Sequence, residues 1–73
     1  EVRYAWRNSM DRLSESSQAI CRLLEEHEEL HVDAMGDRLG CSTPEILAEL
    51  FDLEMSDLVL QKPGKYFRLS TAS

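Results

Sequence analysis

Between Leu39 and Met55 the chain stops one helix and starts another within a handful of residues, and that junction limits what the rest can become. Gly40 is the stop, because glycine enters the left-handed conformation that ends a helix without a Cβ penalty. Two residues can start the next helix. Thr43 as N-cap puts Pro44 at the first helical position, whereas Ser42 as N-cap makes a Ser-x-x-Glu box with Glu45; Thr43 is preferred. At about 100° per residue, Leu53, Ile46, Leu50, Leu47 and Phe51 then share one arc, and Glu49, Glu45, Asp52 and Ala48 occupy the opposite one. The expectation is a helix with one face in the core and the other acidic. Glu54 falls in the apolar arc near the helix end, where it either bonds a backbone group or reaches solvent.

Upstream, Ser14 reads as an N-cap, and Ile20, Leu23, Leu24 and His27 recur at i, i+3, i+4 and i+7, which predicts a first helix of about Glu15 to Glu28. Leu30-His31-Val32 is a short strand-like rung. A second helix follows from about Val32 to Leu39, with Asp33 at the positive end of its dipole and Val32, Met35 and Leu39 as its buried stripe. Downstream, Leu58 to Gln61 and Tyr66 to Leu69 are rich in β-formers, and Lys62-Pro63-Gly64-Lys65 between them is a turn sequence, so the pair predicts a hairpin. Residues 1–13 have no helical or strand period and read as a linker or tail that docks locally, and residues 70–73 as a C-terminal tail. What lies between, residues 14–69, is an α+β and mostly helical domain: a winged helix, with a three-helix helix-turn-helix core and the hairpin as its wing.

Seventy-three residues leave room for a single small core. The formal charge is −6, and its distribution says more than its sum. Residues 30–60 carry Asp33, Asp37, Glu45, Glu49, Asp52, Glu54 and Asp57 against Arg38 alone, while residues 61–73 carry Lys62, Lys65 and Arg68 with no acid. Such a balance disfavours non-specific attraction to nucleic acid or to anionic membrane. Cys21 and Cys41 fall on different expected elements and read as free thiols of a cytoplasmic protein. No apolar run approaches the ~20 residues of a membrane span, and no signal-peptide pattern opens the chain. Without Met at position 1, the sequence reads as an excised fragment whose parent carries the activity.

His27-Glu28-Glu29-Leu30-His31 matches the zinc-protease pattern H-E-x-x-H. That chemistry needs both histidines on one face of a continuous helix. Here the helix is expected to end near Glu28 or Glu29, so the histidines should diverge, and a surface zinc site that adds Cys41 or Cys21 is not demanded by the spacing. No nucleophile and base arrangement, phosphate-cradling glycine loop or carboxylate pair is present in the sequence pattern. The chain is expected not to be an enzyme and to hold no metal or cofactor.

The order Leu-His-Val-Asp-Ala-Met at 30–35, Leu-Gly-Cys-Ser-Thr-Pro-Glu-Ile-Leu-Ala-Glu-Leu at 39–50, Leu-Glu-Met-Ser-Asp-Leu-Val at 53–59 and Pro-Gly-Lys-Tyr at 63–66 resembles the C-terminal winged-helix domain of the bacterial DNA-processing protein A family (DprA, also called Smf). The similarity covers roughly Ser14 to Leu69. Two positions depart from that pattern: Ser56-Asp57 stands where the family commonly has a glycine before the first wing strand, and Gly64-Lys65 where a paired glycine is common in the wing. The first is expected to change the turn, and the second to shorten the wing. The resemblance implies a parent that binds single-stranded DNA in natural transformation and helps load the recombinase RecA through a separate Rossmann-like domain, so no catalytic or DNA-binding residue carries over to this chain.

Two surfaces compete as the working part. The acidic side of the third helix, with Glu45, Ala48, Glu49 and Asp52, is a candidate protein-docking face, for a protein partner or the parent's other domain; it would repel phosphate, so direct duplex binding is expected to be weak or absent. The wing sets Lys62, Lys65 and Arg68 beside Tyr66, the combination of charge and aromatic faces used by single-strand binders. An interaction or regulatory module is the favoured reading. A nucleic-acid-binding winged helix, as a transcription-regulator fragment or an accessory contact through the wing, is the alternative.

Overall fold

Local capping sets most of the element boundaries. Ser14 accepts from the Ser17 N–H at 3.1 Å and opens α1, Glu15–Glu26. His27 then turns extended and ends the helix two residues earlier than periodicity suggests. β1 is Leu30–His31, and His31 doubles as N-cap of α2, Val32–Leu39: its Nδ1 accepts from the Asp33 N–H at 3.1 Å. Gly40, at φ 70°, closes α2 in the left-handed conformation. α3, Thr43–Met55, is capped by Ser42, whose hydroxyl accepts from the Glu45 N–H at 3.4 Å. The preference for Thr43 as cap is therefore wrong. The first-turn N–H groups have no intrahelical partner, so Pro44 fits the second helical position as well as the first, and the Thr43 hydroxyl is free to donate to Asp33 Oδ1 at 3.3 Å.

This computed structural model describes residues 3–72. After α3 come β2, Val59–Lys62, and β3, Tyr66–Leu69. The strands form one antiparallel sheet in the order β1-β3-β2, with Leu30 opposite Phe67, Val59 opposite Leu69 and Lys62 opposite Tyr66. α1, α2 and α3 pack on one face of this sheet and contribute Ile20, Leu24, Met35, Ile46, Leu50 and Leu53 to the core, which Val59, Phe67 and Leu69 close from below. Gly36 lets α2 approach the following turn: a Cβ there would lie 2.8 Å from the Cys41 carbonyl oxygen. Asp57 (φ 61°) and Lys65 (φ 65°) take left-handed conformations without being glycine, and both belong to the pairs, Ser56-Asp57 and Gly64-Lys65, read from the sequence as departures from the resembled pattern.

Of the stretch read as a linker or tail that docks locally, residues 3–13 are described, and they pack against the domain; Glu1 and Val2 lie outside the described residues. Ala5–Arg12 forms a 3-10 helix, and Trp6 is 0% exposed. The Trp6 indole donates to Glu25 Oε2 at 2.8 Å, and Arg7 grips the same carboxylate with two bonds of 2.8 and 2.7 Å while lying 4.5 Å over the Trp6 ring. Gln18 of α1 donates to the Met10 and Leu13 carbonyls and so closes the far end of the 3-10 helix. Residues 70–72 of the stretch read as a C-terminal tail run beside this segment, with Tyr4 bridged to Thr71 and the Ala72 N–H donating to the Arg3 carbonyl at 2.8 Å; Ser73 is outside the described residues. One aromatic anchor and a three-donor carboxylate hold this segment, and neither leaves a repeating apolar pattern in the sequence.

Candidate interaction surfaces

α3 has three faces, not two. Ile46, Leu50 and Leu53 point inward and are buried. Leu47 and Phe51, expected in the same apolar arc, are instead 38% and 61% exposed, and with Met55 at 70% they form an outward stripe at i, i+4 and i+8. The physical reason is size: a chain this short covers only the inner side of α3 with α1, α2 and β2, and the apolar arc is wider than that cover. Glu54 is exposed and therefore reaches solvent. Its backbone carbonyl accepts from Asp57 at 3.0 Å.

Glu45, Ala48 and Glu49 come together along a groove of about 460 Å³ between α1 and α3, with Ala19, Ile20 and Leu39 in its lining. Asp52 lies apart from them, in a neighbouring hollow that Glu49 also lines. Glu49 is half-buried and already engaged, since it accepts from the Ser17 hydroxyl at 2.5 Å and from the Ser14 hydroxyl at 3.4 Å. Both hydroxyls sit at the N-terminus of α1, where the helix dipole favours a carboxylate. Glu49 thus ties α3 to α1, and of the four residues on the expected docking face it is the one least available to a partner. Glu45, Ala48 and Asp52 are exposed.

On the wing, strand alternation separates two rows. Phe67 and Leu69 are buried, whereas Lys62, Tyr66 and Arg68 share the outer face with Leu60, because Lys62 stands opposite Tyr66 and Leu60 opposite Arg68. His31, opposite Tyr66 on β1, meets its ring edge-on at 5.2 Å. Lys65 sits at the hairpin tip, and its carbonyl accepts from the Val32 N–H at 3.1 Å, which fastens the tip to the start of α2. The outer face of the wing therefore gathers Lys62, Tyr66 and Arg68, while Lys65, the fourth residue expected there, sits at a tip fastened to the domain body.

The H-E-x-x-H match falls across a break in structure: His27 caps α1 and His31 belongs to β1. Among the described residues no group of three His, Cys, Asp or Glu side chains is placed to hold a metal ion. Cys21 lies on the buried side of α1, and burial pushes its thiol up to about 12, so it stays protonated at neutral pH. The Glu25 carboxyl is held below its ordinary range, first by the hydrogen bond from Arg7 and also by that from Trp6. No helix among the described residues is long and apolar enough to cross a membrane.

Sequence reasoning missed the outward stripe and the Trp6, Arg7 and Glu25 clamp. The stripe had a signal, since Leu47, Phe51 and Met55 form a second i, i+4, i+8 series beside the inner Ile46, Leu50, Leu53 series. The clamp had none beyond a lone Trp followed by Arg.

A second helix and a third joined through a tight turn, followed by an antiparallel hairpin that pairs back onto a short strand before α2, define a winged-helix domain. The family model described as the DprA winged helix domain matches residues 8–65, most of the chain. The chain belongs to that family. The matched span begins just after Trp6 and Arg7 and ends before β3. No curated protein and no solved structure matches the chain.

Proposed function

We propose that this winged helix is an interaction or regulatory module, without catalytic activity or cofactor of its own, in a cytoplasmic DprA-like DNA-processing protein. In this reading the parent binds single-stranded DNA and assists RecA loading in natural transformation through another domain, and the winged helix docks a protein partner or that domain. The observation that carries the reading is the surface of α3. Its charged residues are Glu45, Glu49, Asp52 and Glu54 with no Lys or Arg, and Leu47, Phe51 and Met55 stand exposed on the same helix. A recognition helix that enters a groove of DNA is held by cations on phosphate, and this one has none to offer.

A second reading rests on Lys62, Tyr66 and Arg68 sharing the outer face of the wing. With Lys65 they would neutralise at most three phosphates, for a salt slope of about −2 on single strands. One titration tests both. At ~150 mM salt, single- and double-stranded oligonucleotides should bind no tighter than about 10⁻⁴ M, with any amide shifts confined to residues 62–68. Micromolar affinity with large shifts over residues 45–52 would overturn the interaction-module reading.

A further inference from the structure

We propose that the outward stripe of α3, Leu47, Phe51 and Met55, is the docking site for a cationic amphipathic helix of a partner protein. This inference rests on the interaction-module reading and deepens it by naming the surface and the chemistry of what covers it. Among the described residues five large apolar side chains are exposed, and three of them are these. Their spacing runs two turns along one side of a helix, about 12 Å at 1.5 Å per residue. That is the footprint of a helix bringing anchors at i, i+3 or i+4, and i+7.

Charge selects the occupant. On the helical wheel Glu54 borders the stripe on one side and Asp52 and Glu45 border it on the other, with Ala48 between. All three carboxylate residues are exposed, and no cation on α3 offsets them. A partner helix whose apolar face is edged by Lys or Arg would place cations within reach of these carboxylates and inside the screening length of about 8 Å. A second copy is a poor occupant. Packing α3 on α3 would bring two acidic rims together, and three partly exposed side chains supply on the order of 300 Å² of apolar area, against the ~800 Å² per partner of a stable interface. An anionic membrane or a nucleic acid meets the same repulsion.

The test uses the chain and a synthetic peptide of about 18 residues, long enough to hold a helix, built of Leu and Lys with Leu at i, i+3, i+4 and i+7. A Leu/Glu peptide of the same pattern and a Leu/Lys peptide with the pattern scrambled are the controls. The patterned Leu/Lys peptide should bind with a dissociation constant of order 10⁻⁵ M, with amide shifts centred on residues 44–55. Phe51→Ser and, separately, Met55→Ser should weaken it about tenfold, because truncating an anchor at the centre of a contact removes a disproportionate share of its affinity. Both side chains point to solvent, so both variants should melt within a few degrees of the parent chain.

Equal affinity for the scrambled peptide, or no loss in both Ser variants, would mean that only diffuse acidic charge is recognised and would overturn the proposal. So would equal affinity for the Leu/Glu peptide, self-association of the chain abolished by Phe51→Ser, or no binding at 1 mM peptide. The last result combined with weak oligonucleotide binding removes this inference alone. An oligonucleotide that binds at micromolar concentration on residues 44–55 removes the interaction-module reading with it.

Discussion

Leu50 and Leu47 lie three residues apart on α3, carry the same side chain and face different surroundings, so their replacement by alanine measures where the core of this domain ends. Leu50 is 1% exposed at the centre of the inner row, and Leu47 is 38% exposed at its edge. Leu50→Ala removes fully buried methyl groups and leaves a cavity that the surrounding helices fill only in part, at a cost of about 2–5 kcal/mol. Leu47→Ala loses only the transfer free energy of a partly covered side chain and leaves no cavity, since solvent enters the space, which gives about 1 kcal/mol. Helix propensity shifts both by the same few tenths in alanine's favour and cancels from the comparison. A domain of this length has roughly 4–11 kcal/mol of stability in total. Leu50→Ala should therefore lower Tm by ten degrees or more, and Leu47→Ala by about 4–8 °C. Thermal unfolding followed by far-ultraviolet circular dichroism reads both variants in one series. Equal costs, or a Leu50→Ala shift of only a degree or two, would refute the division of α3 into an inner and an outer apolar row.

The clamp on the N-terminal segment makes an acid prediction. Arg7 and Trp6 hold the Glu25 carboxyl below its ordinary value, so Glu25 contributes stability that is fully present above the unfolded-state value of about 4.3 and is lost as pH falls through the lower folded-state value. Melts of the parent chain and of Glu25→Gln between pH 7 and pH 2.5 should differ most at neutral pH and converge in acid; a gap independent of pH would show that the carboxylate charge is not what holds Trp6 and Arg7. At the wing tip, Lys65 in the left-handed region costs about 1–2 kcal/mol that glycine avoids, less the 0.5–1 kcal/mol of extra freedom glycine loses on folding. Lys65→Gly should thus raise Tm by a few degrees, and a fall would mean that the lysine side chain makes a stabilising contact at the tip.

Periodicity located the elements whose burial repeats. The bounds of α2, the course of α3 up to a one-residue error at its cap, and the second wing strand are readable because each carries an uninterrupted apolar rhythm between chemical stops such as Gly40 and the Pro63-Gly64 turn. The first wing strand lies one residue later than its composition suggests, because Leu58, although buried, donates its N–H to the Leu53 carbonyl and belongs to the end of α3's turn. Trp6 escaped because a single anchor has no period, and its partner Glu25 is an acidic residue on an amphipathic helix like several others. Leu47 and Phe51 were assigned inward because a helical wheel knows the width of an apolar arc and not the amount of protein available to cover it. On the wing, composition brought Lys62, Lys65 and Arg68 near Tyr66 without saying which of them share a face; the strand register supplies that, with Lys62 opposite Tyr66 and Leu60 opposite Arg68.

Gly36 sets where α3 points. Because α2 meets the Cys41 carbonyl backbone to backbone there, and the Cys41 N–H donates to the Gly36 carbonyl at 3.0 Å, no flexible side chain cushions the elbow between the two helices. α3 is in that sense a rail bolted at one end, already aimed before anything arrives. A partner that lands on it gives up little of its encounter rate to waiting for reorientation, and recognition can be lost from a distance: a methyl group at position 36 would have to swing the rail to make room for itself, misdirecting Leu47, Phe51 and Met55 while leaving each of them in place along the helix.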